Sequence, residues 1–213
     1  MDKLSIGGDH FRKLACFPAM YEASIMKRAV DIAVSLALLP IALPVCLLAM
    51  AVIRVESAGS PLFIQRRVGR NQRIFNLLKL RTMGRNAGDH PSHEVDSMQI
   101  TRTGAFLRRT KIDELPQLWN VLTGTMSLVG PRPCLSSQGV LIAERARRGL
   151  YAFAPGVTGP AQLLGIDMSD PVLLAETEVG YFHDATVIGD IRMILRTATG
   201  GGRGDAALKE RRG

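Results

Sequence analysis

The sequence is poor in several residue types that common functions of small basic proteins require. Aromatic residues make up only 5% of the chain, which is few for a protein that stacks the bases of single-stranded nucleic acid. The three cysteines, Cys16, Cys46 and Cys134, are widely scattered. They form neither a disulfide framework nor a zinc-ligand spacing, and they favour a reducing, cytoplasmic setting. We therefore expect no nucleic-acid partner and no structural metal.

Glycine patterns that cradle nucleotide phosphates are missing, and acidic residues are scarce. The chain contains no P-loop and no G-x-G-x-x-G motif. Its 19 acidic residues face 27 lysines and arginines, which gives a formal net charge of +8 over 213 residues. Nucleic acid, phosphorylated small molecules and anionic lipid headgroups are the acidic partners that such a charge favours, and the few aromatic residues disfavour the first. The length suits one domain with a core and some appendages.

A long apolar run covers residues 29–53, in which Asp31 is the only charged residue. As a straight helix it would be roughly 37 Å long, against a hydrocarbon core of about 30 Å. No small-residue cleavage site follows it, so a cleavable signal peptide is a poor description. The run is long enough to cross a membrane.

Prolines and flanking charges argue against a simple crossing. Pro40 and Pro44 lie near the middle of the run, where each removes a backbone donor and kinks a helix. Both flanks are basic, so the positive-inside rule gives no clear orientation. We predict a re-entrant helix that breaks at the prolines and returns to the face it entered, with arms of about 18 Å. A kinked spanning helix and a soluble core helix are the alternatives. The basic residues after the run predict a face for anionic lipid, with substrate phosphate as the alternative: Arg66, Arg67, Arg70 and Arg73.

The rest of the chain predicts an α+β, mostly helical fold with a short β element. We expect an N-terminal lead over residues 1–24, a membrane helix over 25–55, a globular domain over 56–197 and a flexible tail over 198–213. Turn signals and apolar runs predict strands at 62–65 and 74–80. Helices are predicted at 104–109, 116–122, 137–150 and 171–197, and loops at 84–98 and 154–165.

The stretch "LRRTKIDELPQLWNVLTGTMSLVGPRP" (107–133) places adjacent Asp113 and Glu114 among basic residues. The spacing from Thr110 to Asp113 fits a capping box, and on spacing alone a cap or a solvated charge is the commoner role. At a helix N-terminus, however, both acids can point at one site. Arg108 precedes the pair and Arg132 follows it. Arginines match phosphate oxygens, and a carboxylate can hold Mg²⁺ or attack phosphorus.

A second cluster, "DHPSHE" at 89–94, contains two histidines and two acids. Its proline- and serine-rich setting favours a loop over a metal site. His183 is interpreted as structural or as a surface residue.

Three segments carry a resemblance to a known family: "GSPLFIQRRVGRNQRIFNLLKLRTM", "TRTGAFLRRTKIDELPQLWNVLTGTMSLVGPRP" and "PGVTGPAQLLG". From about residue 27 to 196 the chain resembles the bacterial sugar transferases, in particular the small monotopic polyprenyl-phosphate phosphoglycosyl transferases. The resemblance implies an enzyme on the cytosolic face of the bacterial inner membrane, with a re-entrant helix and amphipathic interfacial helices. Such enzymes move a sugar phosphate from a UDP-sugar to undecaprenyl phosphate, release UMP and use Mg²⁺.

Carried over residue by residue, the resemblance makes Asp113 the nucleophile that takes the phosphosugar covalently. Glu114 becomes its partner in the dyad, where it either helps to hold Mg²⁺ or deprotonates the lipid phosphate. Asp113 and Glu114 are the Mg²⁺ ligands that the resemblance implies. Pro44, with Pro40, becomes the break in the membrane helix. The family's phosphate-binding basic residues correspond to Lys79, Arg81, Arg108 and Arg132.

Two positions depart from the family pattern. Leu43 stands before Pro44 where serine is common, and Pro160 stands where many relatives have tryptophan or leucine. The segment "GIDMSDP" favours an N-acetylated amino sugar as donor. The product would enter assembly of an O-antigen, capsule, exopolysaccharide or glycoprotein glycan. A catalytically silent membrane scaffold for polysaccharide assembly is the alternative, which the intact dyad disfavours. A homo-oligomer is left open.

Overall fold

The computed structural model describes residues 25–84 and 100–200. The predicted N-terminal lead, the cluster at 89–94 and most of the predicted loop and tail lie outside the described residues. Eleven helices and strands follow one another in the described part. They are α1 (Ile25–Glu56), β1 (Leu62–Val68), β2 (Ile74–Leu80), α2 (Arg102–Thr110), α3 (Gln117–Leu122), β3 (Ser127–Val129), α4 (Gly139–Arg147), β4 (Gly156–Thr158), α5 (Pro160–Leu163), α6 (Pro171–Phe182) and α7 (Val187–Ala198). The prediction of a mostly helical protein with a few strands is confirmed.

Helix α1 contains the apolar run and continues through Pro40 and Pro44. A proline inside a helix removes one hydrogen bond and bends the axis without having to end the helix. The structure therefore has one uninterrupted helix here, without the predicted break into two arms, and its return to the membrane face it entered stays a prediction. Among the described residues, α1 is the one helix long and apolar enough to cross a membrane. In its most apolar stretch of 18 residues, 22% is buried.

One narrow face of α1 packs against the rest of the protein. Its buried residues recur mostly every three or four positions, which places them in a single stripe along the helix: Lys27, Asp31, Ser35, Ala42, Cys46, Ala49 and Ile53. In the middle of the helix, Ala42 joins a cluster with Leu77 and Val121. Near its end, Ile53 packs with Leu80 and Leu107. The globular part thus covers α1 from the middle of the helix to its end.

Polar contacts fix the first turns of α1. Lys27 Nζ donates to Asp190 Oδ2 at 2.7 Å and to the Val129 carbonyl at 3.1 Å. Asp31 Oδ1 accepts the backbone N–H of Leu128 at 3.0 Å. The two ends of α1 therefore contact the same globular part, the start through charged groups and the end through apolar ones.

Two short sheets frame the globular part. Strands β1 and β2 form an antiparallel hairpin in which Leu62 pairs with Leu80 and Val68 with Ile74. The predicted bounds of β2 are confirmed, and β1 extends three residues beyond its predicted end. Strands β3 and β4 form a parallel pair that the sequence did not predict. The predicted loop at 154–165 is wrong in part, because it contains β4 and α5. These pieces have three and four residues, too few for a periodic pattern to show.

Tertiary contacts also correct the predicted lipid-facing basic cluster. Arg66, Arg70 and Arg73 are exposed, as that prediction needs. Arg67 is buried, its Nε donates to Gln65 Oε1 at 2.7 Å, and its Nη1 donates to the Pro133 carbonyl at 3.1 Å. Alternation along β1 explains why Arg66 is exposed and Arg67 is buried, since neighbouring residues of a strand point to opposite faces.

Candidate active site

The adjacent acids Asp113 and Glu114 lie in a single 3₁₀ turn, Ile112–Glu114, between α2 and α3. Lys111 precedes the turn in the left-handed conformation, with φ of 61°, and its backbone N–H bonds the Arg108 carbonyl at 3.3 Å. The predicted capping box is wrong. Thr110 is the last residue of α2, and its hydroxyl donates back to the Phe106 carbonyl at 2.9 Å. The left-handed Lys111 ends α2 and turns the chain so that both acids enter the site.

Glu114 is held by an ion pair. Lys79 Nζ, from β2, lies 3.1 Å from Glu114 Oε1, and both side chains are largely buried. Burial acts to raise the pKa of Glu114, but the charges of Lys79, Lys111 and Arg132 outweigh it and lower that pKa to about 2. Glu114 therefore stays ionised at neutral pH.

The pKa of Asp113 is shifted in the opposite direction from the pKa of Glu114. It is 7% exposed, and burial raises its pKa to about 6. The charge of Glu114 adds to this rise, while Lys79, Arg108 and Lys111 oppose it. Among the described residues, none donates a hydrogen bond to the Asp113 carboxylate. Among residues 25–84 and 100–200, Asp113 is thus the carboxylate of the pair that accepts no hydrogen bond from another group.

Arg108 reaches the site from α2. Its Nε donates to Thr82 Oγ1 at 2.9 Å, and its charge acts on Asp113. Close packing of α2 against Thr82 requires Gly104, since a Cβ on that glycine would lie 1.9 Å from the Thr82 carbonyl oxygen. Any side chain at residue 104 would push α2 and Arg108 away from the site.

Arg132 lies within the Pro131–Pro133 segment that follows β3, and its charge acts on Glu114. It is half-buried. Among the described residues, none accepts a hydrogen bond from its guanidinium. Of the predicted phosphate-binding residues, Lys79 and Arg108 therefore act through their charges on Asp113, and Lys79 and Arg132 act on Glu114.

Arg81 is placed differently from that set. Its Nη2 donates to the Ser57 carbonyl at 2.7 Å, and its Nη1 donates to the Ala58 carbonyl at 3.0 Å. These contacts tie the chain just after α1 to the end of β2. A phosphate-binding role for Arg81 stays a prediction, because in the structure its guanidinium is hydrogen-bonded to backbone carbonyls.

The two carboxylates fit the predicted Mg²⁺ ligands by their chemistry. Residues 25–84 and 100–200 contain no group of three or more histidine, cysteine or acidic side chains that could form a complete metal site. Mg²⁺ usually needs no such group, because it is bound by one or two carboxylates together with substrate phosphates. Adjacent Asp113 and Glu114 meet that requirement.

Comparison with known proteins decides the family. A family model described as "Bacterial sugar transferase" matches residues 22–202. The chain belongs to the bacterial sugar transferase family. It is 32% identical over 184 residues to a UDP-N-acetylgalactosamine-undecaprenyl-phosphate N-acetylgalactosaminephosphotransferase of Aeromonas hydrophila, a match that covers 82% of this chain and 43% of the relative. It is 37% identical to a UDP-glucose:undecaprenyl-phosphate glucose-1-phosphate transferase of Caulobacter vibrioides, with 81% and 68% covered.

A third relative is nearer in size. The chain is 36% identical over 187 residues to the "Exopolysaccharide production protein PSS" of Rhizobium leguminosarum, a match that covers 81% of this chain and 93% of the relative. The chain thus spans less than half of the Aeromonas family member and most of the Rhizobium one. The family's shared segment is the part that contains the two acids.

Sequence reasoning assigned no individual role to three residues of the site, although it counted Lys111 among the basic neighbours of the acids. Lys111 shapes the turn and adds a positive charge, Thr82 orients Arg108, and Gly104 permits their approach. The basic run around Lys111 was a usable signal for its charge. Its left-handed backbone was not readable, because glycine and asparagine are the residues that usually signal that conformation.

Proposed function

We propose that this chain transfers a sugar 1-phosphate from a UDP-sugar to undecaprenyl phosphate and releases UMP. The observation that carries the proposal is the contrast within the acid pair. Asp113 is buried with no donor among the described residues, beside a Glu114 that Lys79 holds ionised. The names of the Aeromonas and Caulobacter relatives, which act on undecaprenyl phosphate, support the substrate class.

The reaction proceeds in two displacements on one phosphorus atom. An Asp113 carboxylate oxygen attacks the sugar-bearing phosphorus of the UDP-sugar, an O–P bond forms, and the bond to the UMP oxygen breaks. A phosphate oxygen of undecaprenyl phosphate then attacks the same phosphorus and releases Asp113. A covalent intermediate divides one difficult transfer into two, so the soluble and lipid substrates need not be bound together.

Positive charge around the acids supplies the electrostatic part of catalysis. Phosphoryl transfer depends mainly on positioning and on stabilising the charge of the phosphate oxygens. Arg108 and Arg132 are suited to bidentate contacts with those oxygens, while Lys79 keeps Glu114 in place. Mg²⁺, held by Asp113 and Glu114 with the diphosphate, would supply further positive charge at the leaving group.

The membrane arrangement of the proposal is monotopic, on the cytosolic face of the inner membrane. The start and the end of α1 contact the same globular part, which is difficult to reconcile with ends on opposite sides of a bilayer. The outward faces of α1 expose large apolar side chains to lipid, among them Leu36, Ile41, Leu43, Leu47 and Leu48. We propose that the exposed faces of α1 around Pro40 and Pro44 lie in the bilayer, while its buried stripe stays packed against the globular part and both ends stay on one side of the membrane.

Helix α7 supports the same orientation. Ile188, Ile191 and Leu195 are exposed at spacings of three and four residues, so they form one apolar stripe. A helix with such a stripe suits the plane of the membrane interface. The exposed Arg66, Arg70 and Arg73 would then contact anionic headgroups.

The donor we propose is an N-acetylated amino sugar, on the segment "GIDMSDP". The relatives' names include both N-acetylgalactosamine and glucose, so the donor has to be measured. The product would be the first lipid-linked intermediate of a surface glycan.

UMP release tests the proposal. The detergent-purified full chain is incubated with Mg²⁺, undecaprenyl phosphate and a panel of UDP-sugars, with Asp113→Asn as the control. We expect UMP from one donor, in multiple turnovers only when the lipid phosphate is present. No UMP from any donor, with folded protein, would contradict the proposal.

Topology has its own experiment. A tag at residue 1 and a tag at residue 213 are each labelled with an impermeant reagent in intact cells. Protection of both is expected of the monotopic arrangement, and labelling of one alone would show a spanning helix.

A further inference from the structure

The backbone of the Pro131–Pro133 segment is bound at each of its polar groups. The Pro131 carbonyl accepts the Gly156 N–H at 2.9 Å, and the Pro133 carbonyl accepts Arg67 Nη1 at 3.1 Å. Prolines have no N–H, so the segment contains a single backbone donor, that of Arg132. The two remaining groups are therefore the N–H and the carbonyl of Arg132.

Both groups of Arg132 are bound by one buried ion pair. The Arg132 N–H donates to Glu178 Oε1 at 3.3 Å, and Arg145 Nη1 donates to the Arg132 carbonyl at 2.7 Å. Arg145, on α4, and Glu178, on α6, are joined by two hydrogen bonds: Nε to Oε2 at 2.8 Å and Nη2 to Oε1 at 2.5 Å. Their side chains are 2% and 1% exposed.

We propose that Arg145 and Glu178 are positioning residues for Arg132. They fix its backbone at both polar groups, and the adjacent prolines fix the dihedral angles on either side. The guanidinium is then presented to the substrate diphosphate from a rigid base. This inference rests on the proposed function, because it gives Arg132 a phosphate to bind.

A purely stabilising role explains the pair poorly. Two charges buried together are weak evidence of stability, since apolar residues of similar volume often serve as well. The neighbours on the same helices, Leu141 and Leu174, are already buried apolar residues. What apolar side chains could not do is bond the N–H and carbonyl of Arg132.

Preorganisation is the benefit that these bonds give. Arginine has a long side chain, and a displacement of about 1 Å at a catalytic contact can reduce a rate roughly 10²-fold. With its backbone fixed, Arg132 has fewer conformations to lose when a phosphate binds. Arg108 obtains a comparable constraint on its side chain through Thr82.

The test replaces the pair without burying a lone charge. The double variant Arg145→Met/Glu178→Leu keeps the volume and removes both contacts to Arg132. Arg145→Lys is the second variant, because it keeps the charge but cannot reproduce three directed hydrogen bonds. The matched control is Arg148→Lys at the end of α4, which alters ion pairs with Glu144 on α4 and with Glu176 on α6 and does not contact Arg132.

Two readouts separate positioning from stability. Hydrogen exchange is measured at the Arg132 amide, the single exchangeable backbone site in the Pro-Arg-Pro segment. The kcat/KM for the UDP-sugar is measured in the wild-type background and in Arg132→Ala. If Arg145 and Glu178 act through Arg132, then replacing them should not lower kcat/KM any further in a protein that already lacks the Arg132 side chain.

We expect the double variant to exchange its Arg132 amide faster than wild type. In the wild-type background it should lower kcat/KM ~10²-fold, and in the Arg132→Ala background the same double substitution should change kcat/KM by less than ~3-fold. Arg145→Lys should show a smaller loss of the same kind, and Arg148→Lys almost none. An equal loss in both backgrounds, or an unchanged kcat/KM with a deprotected Arg132 amide, would overturn the inference. If the double variant does not fold, Arg145→Lys decides by the same cycle. Wild-type protein that releases no UMP would instead contradict the proposed function, and amide exchange would still test whether the pair fixes Arg132.

Discussion

Two buried aspartates, Asp190 and Asp113, show how differently this protein treats the same chemical group. Asp190 is 4% exposed and accepts hydrogen bonds from Lys27 Nζ at 2.7 Å and from the Tyr181 hydroxyl at 2.8 Å. Asp113 is buried to a similar degree, has no described donor, and lies next to a second carboxylate. The carboxylate of Asp190 is hydrogen-bonded within the fold, whereas the carboxylate of Asp113 has no donor among the described residues and is available to a ligand.

The difference separates charges that maintain the structure from charges that act on a substrate. A buried carboxylate without donors destabilises the folded state. Proteins retain such a group where function needs it, and perturbed pKa values concentrate at those sites.

The largest expected effect is on turnover. Asp113→Asn removes the nucleophile and should reduce UMP release on the order of 10⁴-fold or more, as for other covalent nucleophiles. Circular dichroism and thermal unfolding should show folded protein. Retained activity within about tenfold of wild type would rule out a covalent role for Asp113.

At Asp190 we expect a large effect on stability and not on the chemical step. Asp190→Asn leaves the Lys27 ammonium buried without its carboxylate, so the free energy of unfolding should fall by ~3 kcal/mol. The change is measured by denaturant unfolding in detergent. Lys27→Met/Asp190→Leu is the control, because it removes both charges and should restore much of the loss. A fully stable Asp190→Asn protein would show that the pair does not fix the start of α1.

Asp113→Asn should also stabilise the protein. Burial raises the pKa of Asp113 to about 6, above an unfolded value of about 3.9. Wild-type stability is therefore lost as pH rises from about 4 to 6, because the folded state must give up a proton that it binds more tightly. The variant lacks this loss, so it should be more stable above pH ~6 by on the order of 1–3 kcal/mol and equal to wild type below pH ~4. Thermal melts across this range provide the measurement, and a variant less stable at pH 7 would contradict the account.

The smallest predicted effect is the pH dependence of the first chemical step. Only ionised Asp113 can attack phosphorus, so the single-turnover rate should be level above pH ~7 and fall toward tenfold per unit below ~6. Glu114, with its pKa held at about 2 by positive charge, should not add a second step in this range. A profile without change between pH 5 and 7.5 would show that Asp113 is already fully ionised in the substrate complex.

The sequence predicted those helices and strands whose cap residues or apolar runs agree with the way they pack in the structure. Pro116 and Gly124 bracket α3, which has the predicted end at Leu122. Ile74–Leu80 was found because its run is long enough to be recognised. Strands β3 and β4 were missed because three residues show no period, and their pairing depends on distant chain segments.

For the site, the residue types were readable and their partners were not. The motif singled out Asp113, Glu114, Arg108 and Arg132, but it also predicted a capping box at Thr110 that the left-handed Lys111 prevents. It grouped Arg81 with the phosphate-binding residues, whereas its guanidinium bonds the backbone after α1. The distinction between Asp113 and Glu114 needed Lys79, which lies 35 residues before Glu114.

The most direct test of the central claim is a single turnover without the lipid acceptor. Purified wild-type protein is mixed with Mg²⁺ and the active UDP-sugar alone, and UMP and the intact protein mass are measured together. The account predicts a burst approaching one UMP per protein and a mass gain equal to one sugar phosphate on the peptide containing Asp113, with neither in Asp113→Asn. Steady activity with lipid present but no burst and no adduct in its absence would contradict a covalent aspartate intermediate.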